Sequence, residues 1–319
     1  MPKKKYAIGV DLGGTSIKIG LVDEQGKIKF KTTLDSNSSL GPKHVIKQIK
    51  HGIKSVLKET NYEIIGIGIG APGTIKLKKG TVEDPPNFTG WGRVHLGKQI
   101  EKEFNIKVYV ENDANAAAIG ELIYGAGKKI NSFIMITLGT GVGGGIIINK
   151  KIYRGEVGGG GELGHVTIDA NGVPCKCGSI GCVEAYIGNN YLIENVKRDL
   201  SKNSNSKIKK LCRKDFSDLS PKIIFEASQL NDEYAKSIIQ KTGRCLAFGL
   251  GSIVNILDIT TIVIGGGVAG FGELLFETVE NTLCTRVMKP FRKRIVVLPA
   301  KLKNEAGIKG ASALVFYKS

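Results

Sequence analysis

The chain has 319 residues, of which 41% are hydrophobic and 24% charged, and this composition excludes a fibrous or largely disordered protein. Its 46 Lys and Arg residues outnumber the 29 Asp and Glu residues, which gives a formal net charge of +17. Such a charge can attract nucleic acid, an anionic membrane or a phosphorylated substrate. The lysines lie singly or in short groups with few aromatic residues between them, which favours a solvated surface over a nucleic-acid or membrane site.

The N-terminal sequence MPKKKYAIGV has a basic start but no apolar signal segment. Elsewhere no window reaches about 18 consecutive apolar residues, the length that a membrane span needs. We therefore expect a cytoplasmic protein. In a reducing compartment, clustered cysteines are more often metal ligands than disulfides.

Short runs rich in Ile and Val alternate with amphipathic stretches along the chain, which is typical of an α/β protein. YAIGVDLGG predicts a strand, IKIGLVDEQGKI a second strand and the start of a third, and residues 42–59 a helix. EIIGIGIGAPG predicts another strand. KVYVENDANAAAIGELIYG predicts a strand that passes into a helix, with Asn112 or Asp113 as its cap.

A strand, glycine turn and strand then recur in SFIMITLGTGVGGGIIINKKI, at an offset of 126 residues from YAIGVDLGGTSIKIGLV. This internal duplication predicts two similar lobes that enclose a cleft. We expect a small lobe of residues 1–112, joined by a C-terminal helix at 304–319, and a larger lobe of residues 113–303.

After a cysteine-bearing loop at residues 171–183, the pattern predicts a helix near 231–257 and strands at TTIVIGGG and RIVVLPA. A last helix is predicted near 306–317. We expect the least order in SKNSNSKIKK, residues 201–210, which is polar and has no periodicity.

Two glycine-rich turns, DLGGTSIK and LGTGVGGG, occupy matching places in the two repeats. Glycine turns let backbone N–H groups approach phosphate oxygens with no Cβ in the way. Two such turns suit a nucleoside triphosphate, and the Asp11 carboxylate could hold Mg²⁺ directly or through water. The chain has no GxxxxGK[ST] motif, which excludes a P-loop enzyme. Each turn alone could equally be structural.

A third glycine stretch, IVIGGGVAG, follows a predicted strand but lacks the GxGxxG spacing of a dinucleotide site. We interpret this stretch as a backbone platform for the adenine or ribose of the nucleotide. The alternative is a tight turn between a strand and a helix.

The segment ENDANAAA places Asp113 where a strand runs into a helix, near the positive end of that helix. Phosphoryl transfer from ATP to a hydroxyl needs a carboxylate within hydrogen-bond reach to accept the hydroxyl proton. Asp113 is our candidate for this general base. The alternative is a helix cap that takes no part in the chemistry.

Three cysteines and a histidine fall within residues 158–186, GGGGELGHVTIDANGVPCKCGSIGCVEAY. Cys175, Cys177 and Cys182, with His165 ten residues before the first of them, supply a complete tetrahedral set for Zn²⁺. Four protein ligands leave no position for a reacting water, so we predict a structural zinc. The alternative is a group of unrelated free thiols.

In order and spacing, DLGGTSIKIGLVD, ENDANAAAIGE, LGTGVGGGIIINKKIYRG, GELGH, CKCGSIGCVEAY and IVIGGG resemble the motifs of the ROK sugar kinases. PPNFTGW is most similar to the glucokinases of that family. The resemblance implies a two-lobed actin-like ATPase (ribonuclease H-like) fold, with a duplicated β-sheet core and a cleft. It also implies ATP-dependent phosphorylation of a hexose, glucose first, at its 6-hydroxyl.

The resemblance also implies a role for individual residues, with Asp113 as the base that takes the proton of the 6-hydroxyl. The residues that would contact the sugar are Gly73, Asn87, Asn112, Asp113, Glu162, His165 and Glu184. The residues that would contact ATP and its Mg²⁺ are Asp11, Gly13, Gly14, Thr15, Lys18, Gly139, Thr140, Gly141, Gly266 and Gly267. His165 would serve both Zn²⁺ and the sugar. A homodimer or higher homo-oligomer is expected, with no nucleic-acid or membrane partner.

Two features depart from the family or from its other branches. Gly159 and Gly160 stand where bulkier residues are common, so the loop that carries Glu162 is expected to be more mobile or to approach the sugar differently. The first phosphate turn begins at Asp11, so we expect no DNA-binding domain of the kind that the family's repressors carry before it. The alternatives are an N-acetylmannosamine, N-acetylglucosamine or fructose kinase and, in another class, a sugar-responsive regulator or binding protein without phosphotransfer.

Overall fold

The structure is a computed structural model that describes residues 4–200 and 205–317. The strands within these residues are β1 (Tyr6–Leu12), β2 (Ser16–Asp23), β3 (Ile28–Asp35), β4 (Ile64–Ala71), β5 (Thr74–Lys76), β6 (Thr81–Glu83), β7 (Arg93–Val94), β8 (Val108–Asn112), β9 (Phe133–Leu138), β10 (Val142–Ile148), β11 (Lys151–Tyr153), β12 (Thr261–Gly265) and β13 (Val296–Pro299).

The helices of the same residues lie between and after these strands, five of them in succession between β11 and β12. They are α1 (Pro42–Lys58), α2 (Leu96–Phe104), α3 (Asp113–Tyr124), α4 (Val183–Ile187), α5 (Asn189–Leu200), α6 (Ile208–Leu211), α7 (Pro221–Gln229), α8 (Glu233–Leu257), α9 (Glu273–Arg286), α10 (Lys289–Arg292) and α11 (Ala306–Phe316). Short 3₁₀ turns occur at Ser38–Leu40, Leu77–Lys79, Leu163–His165, Gly267–Phe271 and Lys303–Glu305.

The predicted elements agree with this description to within two residues at most ends. The helices predicted at 42–59, 231–257 and 306–317 correspond to α1, α8 and α11. In the segment predicted to be least ordered, residues 201–204 lie outside the described residues, whereas Ile208–Leu211 form α6. Among the described residues, no helix combines the length and the apolar character that crossing a membrane requires.

The predicted duplication is visible in the order of the strands. One sheet has the order β3-β2-β1-β4-β8 and another has the order β11-β10-β9-β12-β13, so both read third, second, first, fourth, fifth within their own repeat. β1 ends at Leu12 and β9 at Leu138, while β2 begins at Ser16 and β10 at Val142, which keeps the offset of 126 residues. A smaller antiparallel sheet has the order β5-β6-β7.

The chain divides into two compact units. Unit 1 comprises Met1–Asn131, Gly145–Gly161 and Lys301–Ser319, and unit 2 comprises Ser132–Gly144 and Glu162–Ala300. The predicted lobe boundary at residue 112 therefore falls inside unit 1, between β8 and α3. The division passes through β10, and α11 belongs to unit 1.

Alternation along β1 and β4 decides what packs on the two faces of the first sheet. Because successive side chains of a strand point to opposite faces, Ile8 and Val10 lie on one face and Gly9 on the other. The apolar face contributes to a buried core that includes Ile49 and Ile53 of α1. On the glycine face α11 approaches the sheet closely, since a Cβ built at Gly9 would lie 2.1 Å from the Ile308 carbonyl oxygen.

Gly68 of β4 has the same relation to α11, and this contact yields a stability prediction. A Cβ at Gly68 would lie 1.8 Å from the Ala311 carbonyl oxygen, so Gly68→Ala forces the helix away from the sheet. We expect the free energy of unfolding to fall by about 1–3 kcal/mol or more, measured by urea denaturation. Gly159→Ala, where a Cβ meets nothing within 4 Å, is the matched control. Equal stability of the two variants would contradict the packing described here.

Candidate active site and metal centre

The N-terminus of α3 carries the residues predicted to meet the sugar. The Asn112 side chain caps the helix, because its Oδ1 accepts hydrogen bonds from the backbone N–H groups of Ala114 (3.0 Å) and Asn115 (3.2 Å). Asp113 is the first residue of the helix, and its Oδ1 also accepts from the N–H of Ala114, at 2.8 Å. Asn112 therefore performs the capping that was the alternative reading of Asp113.

Gly73 and Asn87 lie beside two other predicted residues of unit 1. The Asn112 Nδ2 donates to the Gly73 carbonyl oxygen at 3.3 Å, so the two residues are in direct contact. Asn87 has a left-handed backbone, with φ of 66°. A Cβ built at Gly14 would lie 3.5 Å from the Cβ of Asn87. Asn87 is thus next to the first glycine turn.

The first glycine turn, residues 13–15, follows β1 directly. The Gly13 N–H donates to the Ser16 carbonyl at 3.0 Å, and the Thr15 carbonyl accepts from the Ser36 N–H at 3.0 Å. Asp11 at the end of β1 has its Oδ2 3.7 Å from Lys18 Nζ. Burial raises the pKa of Asp11, and Lys18 opposes this effect. A part-buried carboxylate of this kind suits a divalent cation, since Mg²⁺ prefers oxygen ligands.

The second glycine turn, residues 139–141, lies in unit 2 and is held on several sides. The Gly139 carbonyl accepts from the Asn189 N–H at 3.1 Å, and the Thr140 carbonyl accepts from the Asn190 N–H at 3.4 Å. Gly266, predicted to back the adenosine, packs against the end of β9, because a Cβ there would lie 2.3 Å from the Leu138 carbonyl oxygen. The two glycine stretches of unit 2 are therefore neighbours.

Glu184 of α4 contacts the second glycine turn, a role that the sequence did not reveal. Its Oε2 accepts from the Val142 N–H at 2.8 Å, and a Cβ at Gly141 would lie 2.2 Å from the same oxygen. Only a residue without a side chain fits at 141 beside this carboxylate. Glu184 thus supports the second glycine turn, and its binding of a sugar hydroxyl stays a prediction.

The four predicted metal ligands come together in unit 2. One ligand atom from each of His165, Cys175, Cys177 and Cys182 lies within 4.8 Å of every other. The Cys177 and Cys182 sulfurs are 3.7 Å apart, and the Cys175 sulfur is 3.8 Å from His165 Nδ1. A tetrahedron with Zn–S bonds of about 2.3 Å and a Zn–N bond of about 2.0 Å has edges of about 3.5–3.8 Å. The donor set and its spacing therefore fit a tetrahedral metal.

The residues around these four ligands shift the pKa of two of the thiols and include two predicted sugar residues. Burial raises the pKa of Cys182 to about 12, whereas a backbone hydrogen bond at Ser179 lowers the pKa of Cys177. Cys182 also occupies the N-cap position of α4, the helix that carries Glu184, without a capping hydrogen bond from its side chain. Glu162 Oε2 is 4.0 Å from His165 Nε2, which is the ring nitrogen not directed at Cys175. The metal centre thus lies directly beside two of the predicted sugar residues.

Sequence reasoning missed Glu111 and Arg154, which lie behind the α3 N-terminus. Glu111 is a charged residue at the end of the strand VYVEN and is 3% exposed. Its Oε2 accepts from Arg154 Nε at 2.7 Å, across 43 positions of sequence. The sequence offered one signal for Glu111, which is a charged residue at the end of a predicted strand. Nothing in the sequence indicated Arg154 as its partner.

The glycines at 159 and 160 differ in what they do. The Gly160 N–H donates to the Arg154 carbonyl at 2.8 Å, and a Cβ at Gly160 would lie 2.5 Å from the Gly155 nitrogen. Gly160 therefore allows a close turn of the backbone, whereas a Cβ at Gly159 would meet nothing within 4 Å. The effect of these glycines on mobility and on sugar binding stays a prediction.

Comparison with known proteins bears on the identity of these residues. The chain is 36% identical over 315 residues to a glucokinase of Thermotoga maritima, which covers 99% of this chain and 98% of that protein. It is 32% identical to a xylose repressor of Bacillus spizizenii, over 98% of this chain and 77% of the repressor.

A solved structure gives the same picture for the fold. The ROK family glucokinase of Streptomyces griseus, in complex with glucose and AMPPNP, superposes with a TM-score of 0.85 at 33% identity, covering 97% of this chain and 98% of that one. The two-lobed fold class predicted from the motifs is thereby confirmed. The model of the ROK family matches residues 7–318, and the chain belongs to the ROK family.

Proposed function

We propose that this chain is a hexose kinase that transfers the γ-phosphoryl group of ATP to the 6-hydroxyl of glucose. The observation that carries the proposal is the position of Asp113 as the first residue of α3. Asn112 supplies the N-cap of that helix, so the cap does not require Asp113. The Asp113 Oδ1 accepts from the Ala114 N–H at 2.8 Å, and a carboxylate held in this way can accept a hydroxyl proton. Full-length similarity to proteins named glucokinase, at 33–36% identity, supports the choice of glucose.

We assign proton transfer to Asp113 and sugar orientation to the amides and carboxylates around it. As the 6-oxygen bonds to the γ-phosphorus, the bond from that phosphorus to the β,γ-bridging oxygen breaks and ADP leaves, while Asp113 accepts the proton of the hydroxyl. Asn87 and Asn112 each offer a donor and an acceptor to other hydroxyls, with Gly73 beside Asn112. In unit 2 we assign Glu162, His165 and Glu184 to the remaining hydroxyls, and Glu184 keeps Oε1 for this role while Oε2 holds Val142.

The glycine turns suit the nucleotide for the same physical reason in both units. The Gly13 and Gly139 N–H groups close their own turns, by donating to the carbonyls of Ser16 and Gly141, and these two glycines line the turns without a side chain. We assign the donation to phosphate oxygens to the backbone N–H groups of Gly14 and Thr15 in one turn, and of Thr140 and Gly141 in the other. We assign Mg²⁺ to Asp11, where the ion when bound neutralises charge on the transferred phosphate. Lys18, paired with Asp11, adds a positive charge near the first turn. We assign Gly266 and Gly267 to backbone contact with the adenosine.

We assign Zn²⁺ to the four ligands of unit 2 as a structural ion, because four protein ligands leave no open coordination position. Its effect is to hold the segment that ends at Cys182 and so to fix the start of α4, which carries Glu184. The cytoplasmic location and the homo-oligomeric state stay predictions.

A sugar-responsive regulator without phosphotransfer is the second candidate, because two relatives named xylose repressor match 98% of the chain at 31% and 32% identity. The chain spans 77% of those relatives, so each of them contains sequence without a counterpart here. A regulator would bind its sugar and turn over no ATP.

Replacement of Asp113 tests the proposed chemistry. Asp113→Asn keeps the shape of the side chain but cannot accept a proton, so we expect kcat to fall by about 10²–10⁴-fold. Glucose binding, measured by calorimetry, should change little. Asp258→Asn, at the C-cap of α8 with φ of 51°, is the matched control, because asparagine tolerates that left-handed backbone. Unchanged turnover in Asp113→Asn would remove it as the base.

A panel of sugars tests the choice of substrate. With ATP in a coupled assay, we expect kcat/KM for glucose to exceed that for N-acetylmannosamine, N-acetylglucosamine, fructose and xylose. Turnover of N-acetylmannosamine but not glucose would reassign the substrate within the family. Binding of a sugar with no turnover of any member of the panel would favour the regulator.

Metal analysis tests the zinc assignment. We expect about one Zn²⁺ per purified chain, since the site has one tetrahedral set of ligands. Cys177→Ser should lower this content and the thermal stability, whereas Cys284→Ser, outside the cluster, should alter neither. A metal-free chain of full stability and activity would contradict a structural zinc.

A further inference from the structure

We propose that Arg154 is a positioning residue for phosphoryl transfer, and that it acts through the Glu111 carboxylate to fix the turn that carries Asn112 and Asp113. This inference rests on the proposed function, because it assigns to that turn the base and a sugar ligand. Neither Arg154 nor Glu111 is placed against a reacting atom.

The Glu111 carboxylate organises the end of β8 from behind. Its Oε1 accepts from the backbone N–H of Asn112 at 3.0 Å and from the Asn115 Nδ2 at 3.2 Å. Asn115 is 2% exposed and lies one turn of helix beyond Glu111. One oxygen thus connects the last residue of the strand with the first turn of α3, on either side of Asp113.

The second carboxylate oxygen is held by Arg154, and burial makes this partner necessary. Glu111 is 3% exposed, and an ionised carboxylate in such a position is strongly unfavourable unless it is paired and hydrogen-bonded. Arg154 Nε lies 2.7 Å from Glu111 Oε2, a distance typical of charge-assisted hydrogen bonds. Without the guanidinium, the buried carboxylate loses the partner of Oε2, and a turn of its side chain toward solvent would release the hydrogen bonds that hold the turn.

Arg154 is itself anchored through its backbone and the segment that follows it. Its carbonyl accepts from the Gly160 N–H, and Gly160 approaches so closely that a Cβ there would lie 2.6 Å from the Arg154 carbonyl carbon. Farther along this segment, Lys76 Nζ donates to the Val157 carbonyl at 3.0 Å. The guanidinium therefore projects from a fixed point, which a positioning residue requires.

The energetic consequence lies in kcat rather than in folding alone. Displacement of a catalytic group by about 1 Å costs about 10²-fold in rate, because the reactive geometry is lost while binding contacts persist. We expect Arg154→Met to lower kcat by about this factor and to change KM for ATP by less than about threefold. Arg154→Lys keeps the charge and should retain kcat within about tenfold of the unmodified chain.

The experiment compares four variants at a temperature where circular dichroism finds each fully folded. Besides Arg154→Met and Arg154→Lys, the double variant Glu111→Gln with Arg154→Met removes the unpaired buried charge, so it should recover part of the lost kcat. Arg93→Met is the matched control, because Arg93 Nε pairs with Glu83 Oε1 at 2.6 Å in the same unit, whereas the Arg93 side chain is 71% exposed. It should leave kcat unchanged.

Three outcomes would overturn the proposal. The first is a folded Arg154→Met with kcat within threefold of the unmodified chain, and the second is an equal loss in Arg93→Met. The third is a double variant no more active than Arg154→Met, since Arg154 would then not act through Glu111. If Arg154→Met does not fold, the proposal requires Arg154→Lys to retain a higher kcat than the double variant, and the reverse order overturns it.

A measurement without turnover separates this inference from the proposed function. Hydrogen–deuterium exchange of peptides that contain Asn112–Asn115 should be faster in Arg154→Met than in Arg93→Met, because the Glu111 acceptor of the Asn112 N–H is displaced. Faster exchange in a chain that phosphorylates no sugar would leave the positioning role intact and reject the kinase. Unchanged exchange in an active kinase would reject the positioning role alone.

Discussion

The close approach of α11 to the first sheet is the constraint on which unit 1 depends. Gly9 and Gly68 lie in neighbouring parallel strands, and their missing side chains let backbone atoms of α11 reach the sheet. Gly307 of α11 extends the same contact from the side of the helix, since a Cβ there would lie 2.1 Å from Asp11 Oδ2. The last helix of the chain therefore covers the strand that leads into the first glycine turn, and Asp11 is partly buried beneath it.

Parallel pairing then gathers polar residues at one edge of each sheet. β1, β4 and β8 run parallel, so their carboxyl ends share an edge, and the predicted site residues Gly13, Gly73 and Asn112 lie at or just after those ends. In unit 2, β9 and β12 are parallel, and Gly139 and Gly266 follow them. This is the edge at which open α/β sheets bind ligands, because loops and helix N-termini present backbone N–H groups there.

Two carboxylates that look alike in sequence have different work in the structure. Glu111 is buried and directs both oxygens at protein donors, so it serves the geometry of its neighbours. Glu184 accepts from the Val142 N–H with one oxygen and lies on the short helix that begins directly after Cys182. The four candidate metal ligands are therefore connected to the second glycine turn through this one helix.

The sequence by itself determined the duplication, the main helices and strands, and the residue types at the strand ends. These features depend on local periodicity, turn chemistry and ligand spacing, which are written in neighbouring residues. The spacing of Cys175, Cys177 and Cys182 was enough to predict a metal centre, and the structure brings His165 to it.

Only the tertiary structure decided which residue caps α3, where the chain divides into its two units and what holds Glu111. From the sequence, Asn112 and Asp113 are equally suitable as the N-cap. In the structure the N-cap is Asn112, whose Oδ1 accepts from the N–H groups of Ala114 and Asn115. Glu111 and Arg154 are 43 positions apart, and Glu184 and Val142 are 42 apart. No local pattern encodes such pairs, because they form only when separate strands and loops have packed and the burial of one charge requires the other.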